Sequence, residues 1–368
     1  MPSHKSKMLF IHNARLILAD KIVRKAWLLI KDGKINGYGT HKKISKAKAE
    51  VVNAKDNYLS PGFIDLHIHG DVEKISKTQA KSGTTAFLHC LHADRIENYG
   101  KKIEKSKQAK LTGAQRLGSY LEGPFLNKAM AGAQPKRFII EPKRDKLLKV
   151  IRAAGKDIKI MTLACEFGNI EKILKLLRKN EIVTALGHTN ASFEQAEKAI
   201  DSGAYYTTHI FNRMGSISAR CPGIIVKLLL DERITAEVIA DGKHVHPALL
   251  KLLVKVKGPD KIVLVSDSIA AMPPGSHKMK LEDKVYWLNN STISGSTLTL
   301  LTAVHNMVDF TGMDIASAVR MATLNPARIA GIEKRKGSIA LGKDADIVIF
   351  DKNFKAKMTI IKGKIINL

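Results

Sequence analysis

Phe63-Ile64-Asp65-Leu66-His67-Ile68-His69-Gly70, just past Ser60-Pro61-Gly62, decides how the rest of this chain reads. Phe63, Asp65, His67 and His69 alternate strictly with Ile64, Leu66 and Ile68. Alternation with period two predicts a strand whose odd-numbered side chains share one face. Both imidazoles then point the same way, roughly 7 Å apart along the strand, and can converge on one ion. A single histidine among apolar residues is usually a packed core residue. Two on one face of a strand that ends in Gly70 fit a metal-binding pair better.

Working outward, short apolar runs bounded by turn signals predict eight strands before residue 270. They are Phe63–His69, Thr84–Leu88, Leu117–Leu121, Lys159–Ala164, Ile182–Leu186, Tyr205–His209, Ala236–Ala240 and Lys261–Ser266. Stretches with helical spacing lie between them, such as Ile170–Leu177 and Leu249–Val256. Ser192 with Gln195 makes a capping box, Gly203 is placed to end the same helix, and Pro247 suits a first helical turn. Strands alternating with helices predict an α/β fold with parallel pairing, and eight such units predict a TIM-type (β/α)8 barrel. The strand ends carry His67 and His69 (first), Glu122 (third), His188 (fifth), His209 (sixth) and Asp267 (eighth). Barrels of this kind keep their chemistry on that face, so the sequence predicts a metal site at the barrel mouth.

The two ends of the chain read differently. Leu9–Ile17, Ala26–Lys31, Lys34–Tyr38, Ile347–Phe350, Met358–Ile361 and Ile365–Leu368 look like short strands, with Asp32-Gly33 and Lys362-Gly363 as turns. Neither end has enough strands for a stable sheet alone. Residues 1–58 and 337–368 are therefore expected to join in one small discontinuous β-sandwich, with the barrel spanning 59–336.

Composition narrows the function. Cys90, Cys165 and Cys221 are few, odd in number and widely spaced, which argues against a disulfide framework and a cysteine-type zinc knuckle. Met1 to Lys7 is basic but leads into Met8–Leu18, which is interrupted by His12, Asn13 and Arg15; that is not a signal-peptide core. No apolar run is long enough to span a bilayer, so a cytoplasmic protein with no membrane partner is expected. The net charge of +27 raises the question of nucleic acid. Lysines are spread along the whole chain, for example in Lys101–Lys110 and Lys143–Lys149 at helical spacing, and aromatics make up only 5%. Without aromatics interleaved with the charge there is no stacking platform. Solvated helix faces explain the lysines, and no nucleic-acid partner is expected. The positive field would still attract a small anion.

Further motifs stand at the expected strand ends and loops: Leu121-Glu122-Gly123-Pro124-Phe125-Leu126-Asn127, Gly187-His188-Thr189, Thr208-His209-Ile210-Phe211-Asn212, Arg220 before Pro222-Gly223, Ala240-Asp241-Gly242-Lys243-His244, Ser266-Asp267, Ser294-Gly295-Ser296 and Asn325-Pro326-Ala327. With these motifs the chain resembles the amidohydrolase superfamily and, within it, the N-acetylglucosamine-6-phosphate deacetylases, over nearly its whole length. The resemblance implies metal-dependent hydrolysis of N-acetyl-D-glucosamine 6-phosphate to glucosamine 6-phosphate and acetate. It implies that Glu122, His188 and His209 hold a principal divalent cation, zinc or iron, and that His67 and His69 hold a second. Asp267 becomes the catalytic carboxylate. Arg220 becomes a phosphate clamp that reaches the neighbouring site of a homodimer. Ala133, Gln134, Asn212, Arg213, His244, Ile293, Ser294 and Gly295 become contacts to the sugar phosphate.

The chain departs from that pattern in four places. Gln134 replaces a histidine, Arg213 an alanine, and Cys221 a glutamate, and the loop between Gly70 and Gly83 is short. Gln134 and the shortened loop keep open a second reading, an amidohydrolase acting on another amide such as a different N-acetylated sugar. A third reading is a barrel that binds without catalysis, against which the full ligand set with Asp267 stands. His89, His92, His246 and His305 receive no role. Asp65, Asp241 and Asn127 read as residues that orient neighbours or fix loops.

Overall fold

A computed structural model of the protein describes residues 8–40, 49–270, 279–288 and 292–366. The basic start Met1 to Lys7, and Asn367 and Leu368 at the close of the expected last strand, lie outside the described residues.

Eight strands alternate with eight helices in one cycle. The strands are β1 (Phe63–Gly70), β2 (Thr84–His92), β3 (Gln115–Glu122), β4 (Ile158–Leu163), β5 (Val183–Leu186), β6 (Tyr206–Thr207), β7 (Ala236–Ile239) and β8 (Ile262–Val265). The helices that follow them are α1 (Val72–Ala80), α2 (Ile96–Gln108), α3 (Arg144–Ala154), α4 (Ile170–Lys179), α5 (Phe193–Asp201), α6 (Gly223–Leu230), α7 (Pro247–Lys257) and α8 (Leu300–Thr311). Parallel pairing runs unbroken from β1 to β6. A bridge between Tyr206 and Thr235 carries it to β7, which pairs with β8. The ring closes where Asp267 N donates to His67 O at 3.0 Å and Ser268 pairs with Ile68. This is the expected (β/α)8 barrel. Every residue of β1 from Phe63 to His69 is buried, because a barrel strand has helices on one face and the interior on the other.

Local signals worked as the sequence implied. Ser192 Oγ accepts from Gln195 N, and the Gln195 side chain accepts from Ser192 N, completing the capping box of α5. Gly203 follows the helix at φ 109°, a conformation open to glycine. Pro247 opens α7. Asn325 donates to the carbonyls of Pro259 and Ile262 at 2.8 and 2.7 Å and so pins the start of β8. His246 caps α7, His305 stacks on Phe354, and His89 binds the Gly70 carbonyl and Ser106. These three histidines are structural.

The two chain ends share one sheet, as expected. Met8–Ile17 pairs with Ile22–Lys31, which pairs with Lys34–Gly39; Ile347–Phe350 pairs with Ala356–Ile361, which pairs with Lys364–Ile366. Two further strands, Glu50–Asn53 and Tyr58–Pro61, were not anticipated. Tyr58–Pro61 joins the halves: it lies parallel to Arg15–Leu16 and antiparallel to Ile347–Phe350. Its signal is masked by Ser60 and Pro61. The sheet has its own apolar core, which includes Ile11, Leu28, Leu59, Ile347 and Ile360. Also unanticipated is an insertion between β8 and α8, where Met279–Glu282, Val285–Leu288 and Thr292–Ser296 form an antiparallel set.

Candidate active site

Glu122 closes β3 and is the hub of the barrel mouth. Its Oε1 lies 2.9 Å from His188 Nε2 and 3.1 Å from His209 Nε2. Its Oε2 lies 3.5 Å from His69 Nε2 and 3.7 Å from His67 Nε2. One carboxylate thus faces two histidine pairs with different oxygens. His67 Nε2 and His69 Nε2 are 3.2 Å apart, the convergence that strand alternation implied. Asp267 Oδ1 lies 3.2 Å from His69 Nε2 and 3.6 Å from His67 Nε2, while Oδ2 is 4.0 Å from His244 Nε2.

The backbone turns sharply to bring these groups together. His188, His209 and Asp267 each stand two residues beyond their strand, with φ of 48°, 23° and 45°. Positive φ is uncommon for residues other than glycine, and such strain gathers at functional sites.

Among the described residues the cluster has no fixed cation of its own. His188 Nδ1 lies 2.8 Å from the Met130 carbonyl, which only accepts, so this nitrogen carries the proton. His67 Nδ1 lies 2.8 Å from Glu237 Oε1 and carries one by the same reasoning. In both residues Nε2 faces the Glu122 carboxylate, a contact that needs a proton or a cation between them. Among the described residues no lysine or arginine pairs with Glu122, Asp267 or Glu237; their only ionic partners are histidines. Burial opposes ionisation of Glu122, but His188, His209, His67 and His92 outweigh it and hold its carboxyl well below the usual range. Burial likewise opposes charge on His67, but Cys90, Glu237 and Glu122 raise it well above an ordinary histidine. Burial, with His92 close by, lowers His69 to about 4. Imidazole nitrogens and carboxylate oxygens converge here with no lysine or arginine among them, and a histidine that the carboxylates hold protonated gives up that proton when a cation takes its place, so these residues fit a divalent metal ion.

Supporting groups hold the ligands in place. Asp65 Oδ1 accepts from His67 N at 3.2 Å and Ser266 N at 3.3 Å, tying β1 to the end of β8, and burial pushes its carboxyl up to about 6. Asp241 Oδ2 lies 2.6 Å from His244 Nδ1, which fixes that ring. Beneath the cluster, Tyr120, Thr162 and Thr208 hydrogen-bond to one another across the barrel interior.

The mouth opens into a cavity of about 400 Å³, a size suited to a small ligand. Ala133, Gln134, Asn212, Arg213, His244, Ile293, Ser294 and Gly295, which the resemblance made substrate contacts, all line it. Gln134 is engaged with protein: Oε1 accepts from Ala93 N at 2.8 Å, and Nε2 donates to Glu122 Oε2 at 2.5 Å. Arg213 lies over Gly132, where a Cβ would come 2.5 Å from its Nε. Arg220 is the exception among the expected substrate contacts. It is exposed in the loop before α6 and does not line the cavity of its own chain.

Sequence reasoning missed four members. His92, given no role, stacks on His69 with ring centroids 3.9 Å apart and lines the cavity. Trp287 lines it from the β8–α8 insertion. Glu237 is fully buried, and its Oε1 accepts from both His67 Nδ1 and His209 N, the latter at 3.0 Å. Cys90 lies beside His67 and His69, with burial pushing its thiol up to about 12. A signal existed for Glu237, a lone acid within the apolar strand Ala236–Ile239; none marked Cys90.

A TIM-type barrel with a metal-ligand cluster at its mouth and a small β domain built from both chain ends defines a class of metal-dependent hydrolases. The chain belongs to the amidohydrolase family, whose pattern it matches over residues 58–366. It is 30% identical to the N-acetylglucosamine-6-phosphate deacetylase of Bacillus subtilis (strain 168), over 98% of this chain and 97% of that one. It superposes on the crystal structure of N-acetylglucosamine-6-phosphate deacetylase from Pasteurella multocida with a TM-score of 0.88 and 26% identity, covering 97% of this chain and 99% of that one. A mutant of the Mycobacterium smegmatis enzyme in complex with N-acetyl-D-glucosamine-6-phosphate matches with a TM-score of 0.85 and 25% identity, covering 99% of this chain and 100% of that one.

Proposed function

We propose that this protein is an N-acetylglucosamine-6-phosphate deacetylase, which hydrolyses the acetamido group of N-acetyl-D-glucosamine 6-phosphate to glucosamine 6-phosphate and acetate. The observation that carries the reading is Glu122 shared between His188/His209 and His67/His69, with Asp267 facing the same cavity. The relatives named above supply the substrate.

Glu122, His188 and His209 hold the principal cation, and His67 and His69 hold a second; zinc and iron both suit the donor set. Such a cation polarises a carbonyl and lowers the pKa of water toward about 7. The chain's own groups do the rest. Asp267 Oδ1 faces the ligand histidines and Oδ2 faces His244 on the cavity side. Asp267 takes the proton of the attacking water and delivers it to the departing amine nitrogen. His244, held by Asp241, steadies the oxyanion or a sugar hydroxyl. Gln134 fixes the Glu122 carboxylate, and Trp287 and Ile293 form part of the cavity wall.

Arg220 and Arg213 are the phosphate contacts. Because Arg220 lies outside its own cavity, this role goes with a homodimer in which it serves the other subunit's site. Residues 1–58 and 337–368 form the β domain and 59–336 the barrel. The unpaired Cys90, Cys165 and Cys221 suit a reducing, cytoplasmic setting.

The test compares phosphorylated with unphosphorylated N-acetylglucosamine. A charge-assisted contact contributes on the order of 1.5–3 kcal/mol, so Arg220→Ala raises KM for the phosphorylated sugar about 10- to 100-fold and leaves the unphosphorylated one unchanged. If Arg213 shares the task, the full effect appears only in the double Arg220→Ala/Arg213→Ala variant. Equal loss on both sugars in the double variant removes the sugar-phosphate reading and favours another amide.

A further inference from the structure

Cys90 is a buried nucleophile at the mouth that the mechanism above leaves unused. In the register of β2 and β3, His92 stands opposite Glu122 and Cys90 opposite Tyr120. Side chains two apart on a strand share a face, and His92 faces the cavity. Cys90 therefore faces the same way, one layer deeper, beside the His67 ring that packs on Tyr120 with centroids 4.9 Å apart. One ring nitrogen each of His67 and His69, the Cys90 Sγ and one Glu122 oxygen all lie within 4.8 Å of one another, and all four residues are buried. Ligand atoms about 2.0–2.3 Å from a common zinc ion stand roughly 3.5 Å apart, so small side-chain adjustments close this group on an ion. The group formed by Glu122, His188 and His209 contains no sulfur.

We infer that Cys90 is a thiolate ligand of the second cation, so that His67, His69, Cys90 and Glu122 form a site for a thiophilic divalent ion. The two halves of the centre then differ in kind: one is nitrogen and oxygen only, the other carries sulfur. This rests on the metal reading above. On binding, the sulfur lone pair forms the bond to the cation and the thiol proton leaves to solvent; nothing is oxidised or reduced. Soft thiolate ligands favour cadmium and zinc over magnesium and manganese.

The test uses the full chain, stripped with chelator and reconstituted with cobalt(II), and reads cobalt per chain and the near-ultraviolet thiolate-to-cobalt charge-transfer band. Two cobalt ions per chain with the band are expected. Cys90→Ser loses the band and binds the second cobalt about tenfold or more weakly, while the first stays. Cobalt bound without the band, or a band that persists in Cys90→Ser, overturns the assignment. No cobalt bound at all overturns the metal reading instead. Should Cys90→Ser fail to fold, Cys165→Ser/Cys221→Ser leaves Cys90 as the sole thiol: the band there supports the proposal, and its absence with cobalt bound overturns it.

Discussion

The two ends of β3 hold buried polar clusters built on opposite rules. At the Gln115 end, on the barrel floor, Lys336 donates to Asp346 and lies 3.0 Å from Asp344. Lys34 Nζ lies 2.5 Å from Asp344 Oδ1. Gln115 Nε2 and the Lys362 amide donate to Asp346 at 3.1 and 2.7 Å. Each carboxylate there has a cation and further donors, and the cluster joins the barrel to the β domain. At the Glu122 end the carboxylates have only imidazoles as ionic partners, and among the described residues His69 Nδ1, His209 Nδ1 and Glu237 Oε2 are buried without a hydrogen-bond partner. A buried polar cluster that is complete within the chain holds the fold together. One left short of charge is waiting for a ligand.

The comparison breaks most severely at the mouth. His188→Ala or His209→Ala removes one of the three proposed ligands, so turnover falls to background and metal analysis finds the principal cation gone; full occupancy in either variant would end its assignment as a ligand. Next comes Asp267→Asn, which keeps its metal and its melting temperature but loses ~10²–10⁴ in kcat, the usual contribution of positioned proton transfer. Unchanged turnover would take Asp267 out of the mechanism.

At the opposite end the effect moves from rate to stability. Lys336→Ala strands Asp346 beside a half-paired Asp344 and costs about 3–5 kcal/mol in urea unfolding, with kcat per folded molecule unaltered. A rate loss at full stability would show that the two ends are not separable. The smallest effect is a sharpening one. Glu237→Gln keeps an acceptor for His67 and His209 N but loses the charge behind the ring, which weakens cation affinity about 10- to 100-fold. Chelator titration measures it, and affinity equal to wild type would reduce Glu237 to packing.

The same contrast explains what the sequence made legible. Strand periodicity gave all eight barrel strands because each is a buried apolar run between turns, and the proposed ligands fell at their ends. β6 shrank to Tyr206–Thr207, since the expected tail through His209 leaves the sheet to turn at positive φ. Tyr58–Pro61 and the β8–α8 insertion escaped because their stability comes from partners far along the chain rather than from local pattern. His92, Glu237 and Cys90 share a different cause. Whether a polar residue within a strand faces core or cavity depends on the shear of the closed barrel, which no single strand encodes. For Gln134, its position was readable but its bond to Glu122 was not.

The pairing of Tyr58–Pro61 with Ile347–Phe350 has a consequence for synthesis. The partners are separated by roughly 290 residues, which a ribosome takes about fifteen seconds to a minute to translate. Throughout that interval the emerging polypeptide carries an open sheet edge beside Leu59, with nothing to complete it. On the other side of Met8–Ile17, the hairpin at the far edge of the same sheet carries Lys21, Arg24, Lys25, Lys31 and Lys34, and charge of one sign on nascent strands opposes pairing between neighbouring copies on a polysome. The excess of lysine in this chain then has a use before the protein has finished being made.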